Sequence, residues 1–148
     1  MSFISDRGNP APFIAAVARE VSSYFARAGR PVRSHVRSRL AQFWWGTDPS
    51  VHYELWVHDR TAQLELGLHF ESTPARNQAL YAAFGSHLLE IHTQVGDSLW
   101  LEEWDKGWTR LYETQPLQPL DEARVFAVSA RMIEIMECLQ PIYESLVS

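Results

Sequence analysis

The sequence contains a single cysteine, Cys138, among its 148 residues. One thiol cannot form an intrachain disulfide, and zinc sites built from several cysteines are excluded. No apolar run approaches the roughly 20 residues that a membrane helix needs. The N-terminal segment also lacks the apolar run of a signal peptide. We therefore expect a cytoplasmic protein in a reducing setting, with no membrane partner.

Sequence signatures of catalysis are missing as well. The seven glycines are scattered at turns and helix ends rather than gathered in a phosphate-binding loop. There is no G-x-S-x-G nucleophile elbow, and no acidic residues are spaced as a paired acid and base. The net charge of −5 argues against non-specific binding to nucleic acid. We expect a protein that is not an enzyme and that needs no cofactor.

The clearest structural signal lies in residues 51–71, which read VHYELWVHDRTAQLELGLHFE. Apolar and polar residues alternate through both halves, which predicts a β-hairpin with one buried face and a turn at residues 59–61. A two-residue loop places Val57 opposite Ala62, and a four-residue loop places it opposite Leu64. The polar residues of the other face are His52, Glu54, His58, Glu65 and His69. We expect that face to be solvated.

Three helices are expected from apolar residues at three-four spacing. The first helix is expected between Asn9 and Gly29, and the second between Thr73 and Gly96. The third is expected to begin at Asp121 and to run into the C-terminal residues. The three polar residues suit N-caps, and the two glycines suit helix ends. Pro141 should kink or interrupt the last helix.

Residues 32–45 fit two descriptions. As a strand they align several arginines on one face, and as a helix they show an apolar stripe. The loop-like residues 46–50, which lead into the central hairpin, favour the strand. A change of phase between Leu40 and Phe43 predicts a bulge or twist within it.

A second hairpin is predicted in residues 99–113, with its turn at residues 105–107. The order of elements is then α-β-β-β-α-β-β-α. This order predicts an α+β fold, a two-layer sandwich in which an antiparallel five-stranded sheet carries the helices on one face. Residues 1–148 should form a single domain, with residues 1–9 as a loose N-terminal tail.

This order of elements resembles the small, acidic, dimeric chaperones of bacterial type III secretion and related secretion-chaperone-like domains. The resemblance covers most of the chain as topology. It implies a chaperone-like protein that presents its sheet or an aromatic surface to a polypeptide partner and forms a homodimer. Separately, the run LEEWDKGWTRLYE followed by a long terminal helix resembles the end of an uncharacterised bacterial domain family often found beside restriction or nuclease modules.

Tryptophan is the first candidate for partner binding, because six tryptophans are many for this length. Exposed aromatic surface is typical of a protein partner or a dimer interface. Trp56, Trp100 and Trp104 are the candidate residues. The alternative is that the helices and the connector before the last helix cover them.

A basic row is the second candidate. Arg33, Arg37 and Arg39 would share one face of a strand and could hold phosphates or an acidic peptide. Cross-strand pairing with Glu54 and Glu65 is the favoured alternative. An accessory domain that contacts nucleic acid through this row is the second functional hypothesis.

Two H-x-E pairs, His52 with Glu54 and His69 with Glu71, are the third candidate. Residues two apart in a strand share a face, and the four-residue loop places His52 opposite His69. Two imidazoles and a carboxylate suit zinc or iron. The alternative is a set of solvated side chains without the enclosing partners that metal sites need.

Overall fold

The computed structural model describes residues 8–148. Residues 1–7 of the expected tail lie outside the described residues, and Asn9 already takes part in a short β-bridge. Within the described range the elements are α1 Ala11–Arg27, β1 Arg33–Val36, β2 Leu40–Trp44, β3 Val51–His58, β4 Gln63–Phe70, α2 Pro74–Ser86, α3 Leu88–Val95, β5 Trp100–Asp105, β6 Trp108–Pro116 and α4 Glu122–Val147.

The strands form one antiparallel sheet in the order β1-β2-β3-β4-β6-β5, which leaves β1 and β5 at the edges. In the central hairpin His52 pairs with His69 and Val57 pairs with Leu64, which is the register of a four-residue loop. The α+β class with one antiparallel sheet is therefore confirmed. The loop is closed by Ala62, which adopts a positive φ of 52°.

The prediction of five strands is wrong, because the described residues form six. Residues 32–45 are a strand region, as favoured, but a tight turn divides it into β1 and β2. The Arg37 amide donates to the Leu40 carbonyl across this turn at 2.8 Å, and Val36 pairs with Ala41. The turn was missed because Ser38 and Arg39 are not the glycine, asparagine or proline that usually marks a hairpin.

The second helix is also divided, into α2 and α3, at His87. The Ser86 hydroxyl donates to the Ala83 carbonyl at 2.7 Å, which competes with the helical backbone bonds there. The predicted caps Thr73 and Asp121 accept hydrogen bonds from backbone amides three residues further along. The predicted cap Asn9 is wrong, because α1 is preceded by Pro10 and has no side-chain cap.

Pro141 does not interrupt the last helix, which continues to Val147. The proline lies on the exposed side of α4, while Leu139 and Ile142 on either side of it are buried. Packing of that buried face holds the helix together across the missing amide. The apolar stripe of α4 is thus used inside the chain, against α1, α3 and β4.

The helices cover the apolar face of the sheet. Phe70 of β4 packs on Phe84 of α2 with ring centroids 5.4 Å apart, and the Tyr53 hydroxyl donates to the Gln140 side chain of α4 at 2.9 Å. Cys138 is buried in this layer. None of the helices in residues 8–148 is both long enough and apolar enough to cross a lipid bilayer.

Gly67 allows β4 and β6 to approach closely. A Cβ atom there would lie 2.4 Å from the Leu111 carbonyl oxygen and 2.6 Å from the Tyr112 Cα atom. Both are backbone atoms of the paired strand, so they cannot move without disturbing the sheet. Tyr112 lies directly opposite Gly67, and its side chain takes the place of the missing one.

We predict that Gly67→Ala lowers the free energy of unfolding by more than about 2 kcal/mol, because the added methyl group clashes with backbone. The measurement is urea denaturation followed by circular dichroism. The matched control is Gly85→Ala in α2, where the new methyl would meet only Leu101 Cδ1 at 3.5 Å. That variant should be neutral or gain up to about 1 kcal/mol of helix propensity. Equal stabilities of the two variants would contradict the close approach.

Candidate functional site

The face of the sheet opposite the helices is polar in sequence but buried in structure. We call it the polar face and define it by His52, Glu54, Glu65 and His69. The exposed fractions of these residues are 4%, 4%, 0% and 0%. The expectation of a solvated face is therefore wrong. Strict alternation predicts which residues share a face of the sheet. It does not predict whether other side chains shield that face from water.

The cover consists of side chains from the sheet itself. We call these residues the aromatic cover: Trp56, Trp104, Trp108 and Tyr112. The Trp104 ring lies 5.6 Å from the His69 ring, 5.7 Å from Trp56 and 5.7 Å from Trp108. The Arg110 guanidinium lies 4.0 Å from the Tyr112 ring centroid and 4.9 Å from that of Trp104. Large aromatic rings thus exclude water from a polar surface without a second layer of secondary structure.

Trp104 lies over the cluster on the face that alternation along β5 gives it, the face of Glu102, which pairs with Arg110. Glu103 pairs with Thr109 and Asp105 pairs with Trp108, so Trp104 is the extra residue of a β-bulge. The bulge changes the phase of alternation after Trp104. The turn after it uses Lys106 and Gly107, both at positive φ, as a two-residue hairpin loop. The predicted turn at residues 105–107 is confirmed.

Glu65 is the centre of the hydrogen-bond network. It accepts from the Arg110 guanidinium and interacts with the imidazoles of His69 and, at 2.9 Å, His58. Burial opposes the ionisation of this carboxyl group. The hydrogen bonds from both histidines and the charges of His69 and Arg110 outweigh burial, and they hold the pKa of Glu65 at about 2.

Both histidines at the centre of the polar face have each ring nitrogen occupied. His69 interacts through Nε2 with Glu65 and through Nδ1 with Glu71 at 3.1 Å. Burial by itself lowers the pKa of His69, but these carboxylates and Glu54 raise it to about 9. His52 lies 2.8 Å through Nδ1 from the Pro49 carbonyl, and its Nε2 lies 3.2 Å from Glu54. The pKa of Glu54 is lowered, because its hydrogen bonds outweigh burial.

The three predicted tryptophans lie in different environments. Trp56 and Trp104 are half-buried in the aromatic cover, whereas Trp100 is 57% exposed at the start of β5. Trp100 contacts His92 of α3, with ring centroids 5.1 Å apart. Trp108, which was not among the candidates, is also exposed. The role of these residues in partner binding stays a prediction.

The structure does not form the predicted arginine row. Arg33 lies in β1, whereas Arg37 and Arg39 lie in the turn that follows it. Arg37 donates to His35 at 2.8 Å, and Arg39 pairs with Asp59 at 2.6 Å. The expected pairing of the row with Glu54 and Glu65 is wrong, because those carboxylates lie inside the polar face. Contact with nucleic acid stays a prediction.

Sequence reasoning missed Arg110 and Gln42 as members of the site. Arg110 reaches the polar face because β6 pairs with β4, which places it opposite His69. Gln42 lies opposite Glu54 and donates to it at 2.8 Å. Both contacts depend on strand pairings between segments that are not joined by the central hairpin. The pairing of β4 with β6 leaves no local sequence pattern, whereas the loop-like residues 46–50 are a local signal for the pairing of β2 with β3 that places Gln42 opposite Glu54.

No protein-family model matches the chain, and no curated protein matches it. Two solved structures do. A chain of the HopA1-SchA chaperone-effector complex matches with a TM-score of 0.45 and 14% identity, over 95% of this chain and 98% of that one. A chain of the ExsC-ExsE complex matches with a TM-score of 0.38 and 17% identity, over 86% and 93%. At these identities and TM-scores the two matches are similarities of overall fold and nothing more.

The raised pKa of His69 predicts that stability falls at alkaline pH. A histidine whose pKa rises from 6.5 to about 9 on folding stabilises the fold fully below about pH 6.5 and stops doing so above the folded pKa. In chelator-treated protein, the free energy of unfolding should fall by up to about 1.4 kcal/mol per pH unit between those values. Urea denaturation at a series of pH values measures it.

His69→Gln should remove most of this slope, and His87→Gln should keep it. His87 is a matched control because it also pairs with a carboxylate, Glu90, but at a partly exposed position. An NMR titration of the His69 ring in the unmodified protein gives a direct check. A midpoint near 6.5 would contradict the network.

Proposed function

We propose that the protein binds an extended segment of another polypeptide along the β5 edge of its sheet, as a chaperone-like interaction protein. The observation that supports this most directly is Trp100, a tryptophan exposed at 57% on an edge strand. Exposed tryptophan is costly to leave in water and is enriched at the centres of interfaces. The proposal rests on this surface and not on the likeness of fold.

The β5 edge has the chemistry of a strand-binding site. Its outer side is not hydrogen-bonded to another strand among residues 8–148, so backbone donors and acceptors are available to an added strand. Trp100 stands at one end of β5, and Trp108 stands beside its other end across the hairpin turn. Backbone hydrogen bonds to β5 would provide the affinity for a bound strand, and contacts with the rings of Trp100 and Trp108 would provide the selectivity.

The charges of β5 indicate what kind of segment would bind. Glu102, Glu103 and Asp105 are acidic, and the side chain of Glu102 remains 41% exposed although it pairs with Arg110. A segment with alternating apolar and basic residues complements this edge. Two copies of this chain that joined β5 to β5 would oppose like charges, which is destabilising. We therefore favour a different polypeptide over a second copy at this edge.

Synthetic peptides with alternating apolar and lysine residues should bind, and a proline at the centre of the peptide should abolish binding. Proline removes the amide that strand pairing needs. Fluorescence anisotropy of labelled peptides measures the affinity. Peptides with glutamate in place of lysine form the charge control and should bind more weakly.

Trp100→Ala and Trp108→Ala should each weaken binding about tenfold or more, which is typical of a tryptophan at an interface centre. Phe126→Ala is the matched control, because Phe126 is 63% exposed but lies on α4. Light scattering tests the homodimer prediction separately. If the protein forms a stable dimer and Trp100→Ala dissociates it, the partner at this edge is a second copy of the chain. If the peptide with a central proline still binds, the bound segment does not pair as a strand, and the proposal is wrong.

A further inference from the structure

Four side chains of the polar face converge as the ligands of a metal ion would. His52, Glu54, His69 and Glu71 each offer a donor atom, and these atoms all lie within 4.8 Å of one another. Strand geometry brings them together, since each histidine lies two residues before its glutamate and the histidines are cross-strand neighbours. The imidazole rings are stacked, with centroids 5.7 Å apart and an interplanar angle of 24°.

The separations between donor atoms match a small coordination sphere. His69 Nδ1 lies 3.1 Å from Glu71 Oε2 and 3.8 Å from Glu54 Oε2. His52 Nε2 lies 3.2 Å from Glu54 Oε1 and 3.9 Å from Glu71 Oε2. Ligand atoms about 2.0–2.1 Å from a tetrahedral zinc ion are roughly 3.3 Å apart. Small side-chain movements would therefore complete the geometry.

Groups outside the four residues orient both imidazoles. The far nitrogen of His52, Nδ1, lies 2.8 Å from the Pro49 carbonyl oxygen. The far nitrogen of His69, Nε2, is paired with the Glu65 carboxylate. When Nδ1 of His52 and Nε2 of His69 donate to these acceptors and His69 releases its Nδ1 proton, the remaining nitrogens can coordinate an ion together with the two glutamates. Metal-binding histidines in proteins are commonly held in this way by a carbonyl or a carboxylate.

The carboxylates of this region also provide negative charge for a cation. Glu54, Glu65 and Glu71 meet here, and the positive groups that face them are Arg110, through Glu65, and His69, whose charge is lost when a metal displaces its proton. Buried carboxylates require compensation by charge or by coordination. Three of the four ligand residues are buried and Glu71 is 17% exposed in its side chain. The rim at Glu71 therefore gives an ion a route to a site that is otherwise closed to water.

We propose that His52, Glu54, His69 and Glu71 bind one divalent transition-metal ion, with Zn²⁺ as the first expectation. Imidazole and carboxylate ligands suit a borderline ion such as Zn²⁺, and four ligands from the protein would complete a tetrahedral site. Glu65, Pro49 and Gln42 position the ligands without touching the ion. The site lies beneath the aromatic cover and is independent of peptide binding at β5.

Metal analysis of protein produced without a histidine tag tests this proposal. Chelator-treated protein titrated with Zn²⁺ in a calorimeter should bind one equivalent. Co²⁺ should give the strong visible absorption of a tetrahedral site, and it should quench the fluorescence of Trp104, whose ring lies 5.6 Å from that of His69. Less than about a tenth of an equivalent with each of Zn²⁺, Fe²⁺ and Mn²⁺ would overturn the proposal.

The affinities of variants for Zn²⁺ test whether the ion binds at these four residues. The double variant His52→Gln with His69→Gln should lower the affinity for Zn²⁺ by more than 100-fold, and Glu65→Gln should lower it about 10–100-fold as the loss of an orienting partner. The control is His87→Gln with Glu90→Gln, a partly exposed pair 3.0 Å apart, which should leave affinity unchanged.

If circular dichroism shows that the double variant does not fold, Glu71→Gln at the rim decides the question. It removes the most exposed ligand and should lower the affinity about tenfold or more while the fold is kept. Unchanged affinity in a folded ligand variant would mean that the ion binds elsewhere, and the proposal would be wrong.

Discussion

The structure depends on keeping one carboxylate, that of Glu65, ionised beneath a layer of aromatic side chains. Glu65 has no exposed surface, and a carboxylate buried in this way without partners would cost several kcal/mol or take up a proton. Arg110 of β6 and His69 of β4 offset that cost. The pairing of β4 with β6, which is not a hairpin, is therefore favoured by charge as well as by backbone hydrogen bonds.

The sequence predicts a sheet with one solvated face. Because the polar face is buried, both faces of the observed sheet are shielded from water. Helices cover the apolar face, and the rings of Trp56, Trp104 and Tyr112 cover the other. The missing side chain at Gly67 allows the backbones of β4 and β6 to approach closely beneath this cover. The sheet thus obtains a thin second layer from its own side chains.

Local periodicity was sufficient to predict the central hairpin and the face that His52 and His69 share, because alternation with a period of two fixes which residues share a face. It left two registers open, and the four-residue loop of the structure is what places His52 opposite His69. It was insufficient wherever the answer depended on distant segments. The burial of Glu65 and His69 depends on the cover from β5 and β6, and the pairing of β4 with β6 leaves no local pattern. The turn at Ser38 was missed for a different reason, since its residues lack the usual turn chemistry.

The two edges of the sheet carry opposite charge, which limits how copies of the chain can associate through them. The β1 end carries Arg33 and Arg37, and the β5 end carries Glu103 and Asp105. Edge-to-edge contact between copies would be attractive only between unlike edges, and such a head-to-tail contact builds a ring or an open filament rather than a two-fold dimer. Charge at the edges therefore works against a two-fold dimer formed by pairing like edges of the sheet.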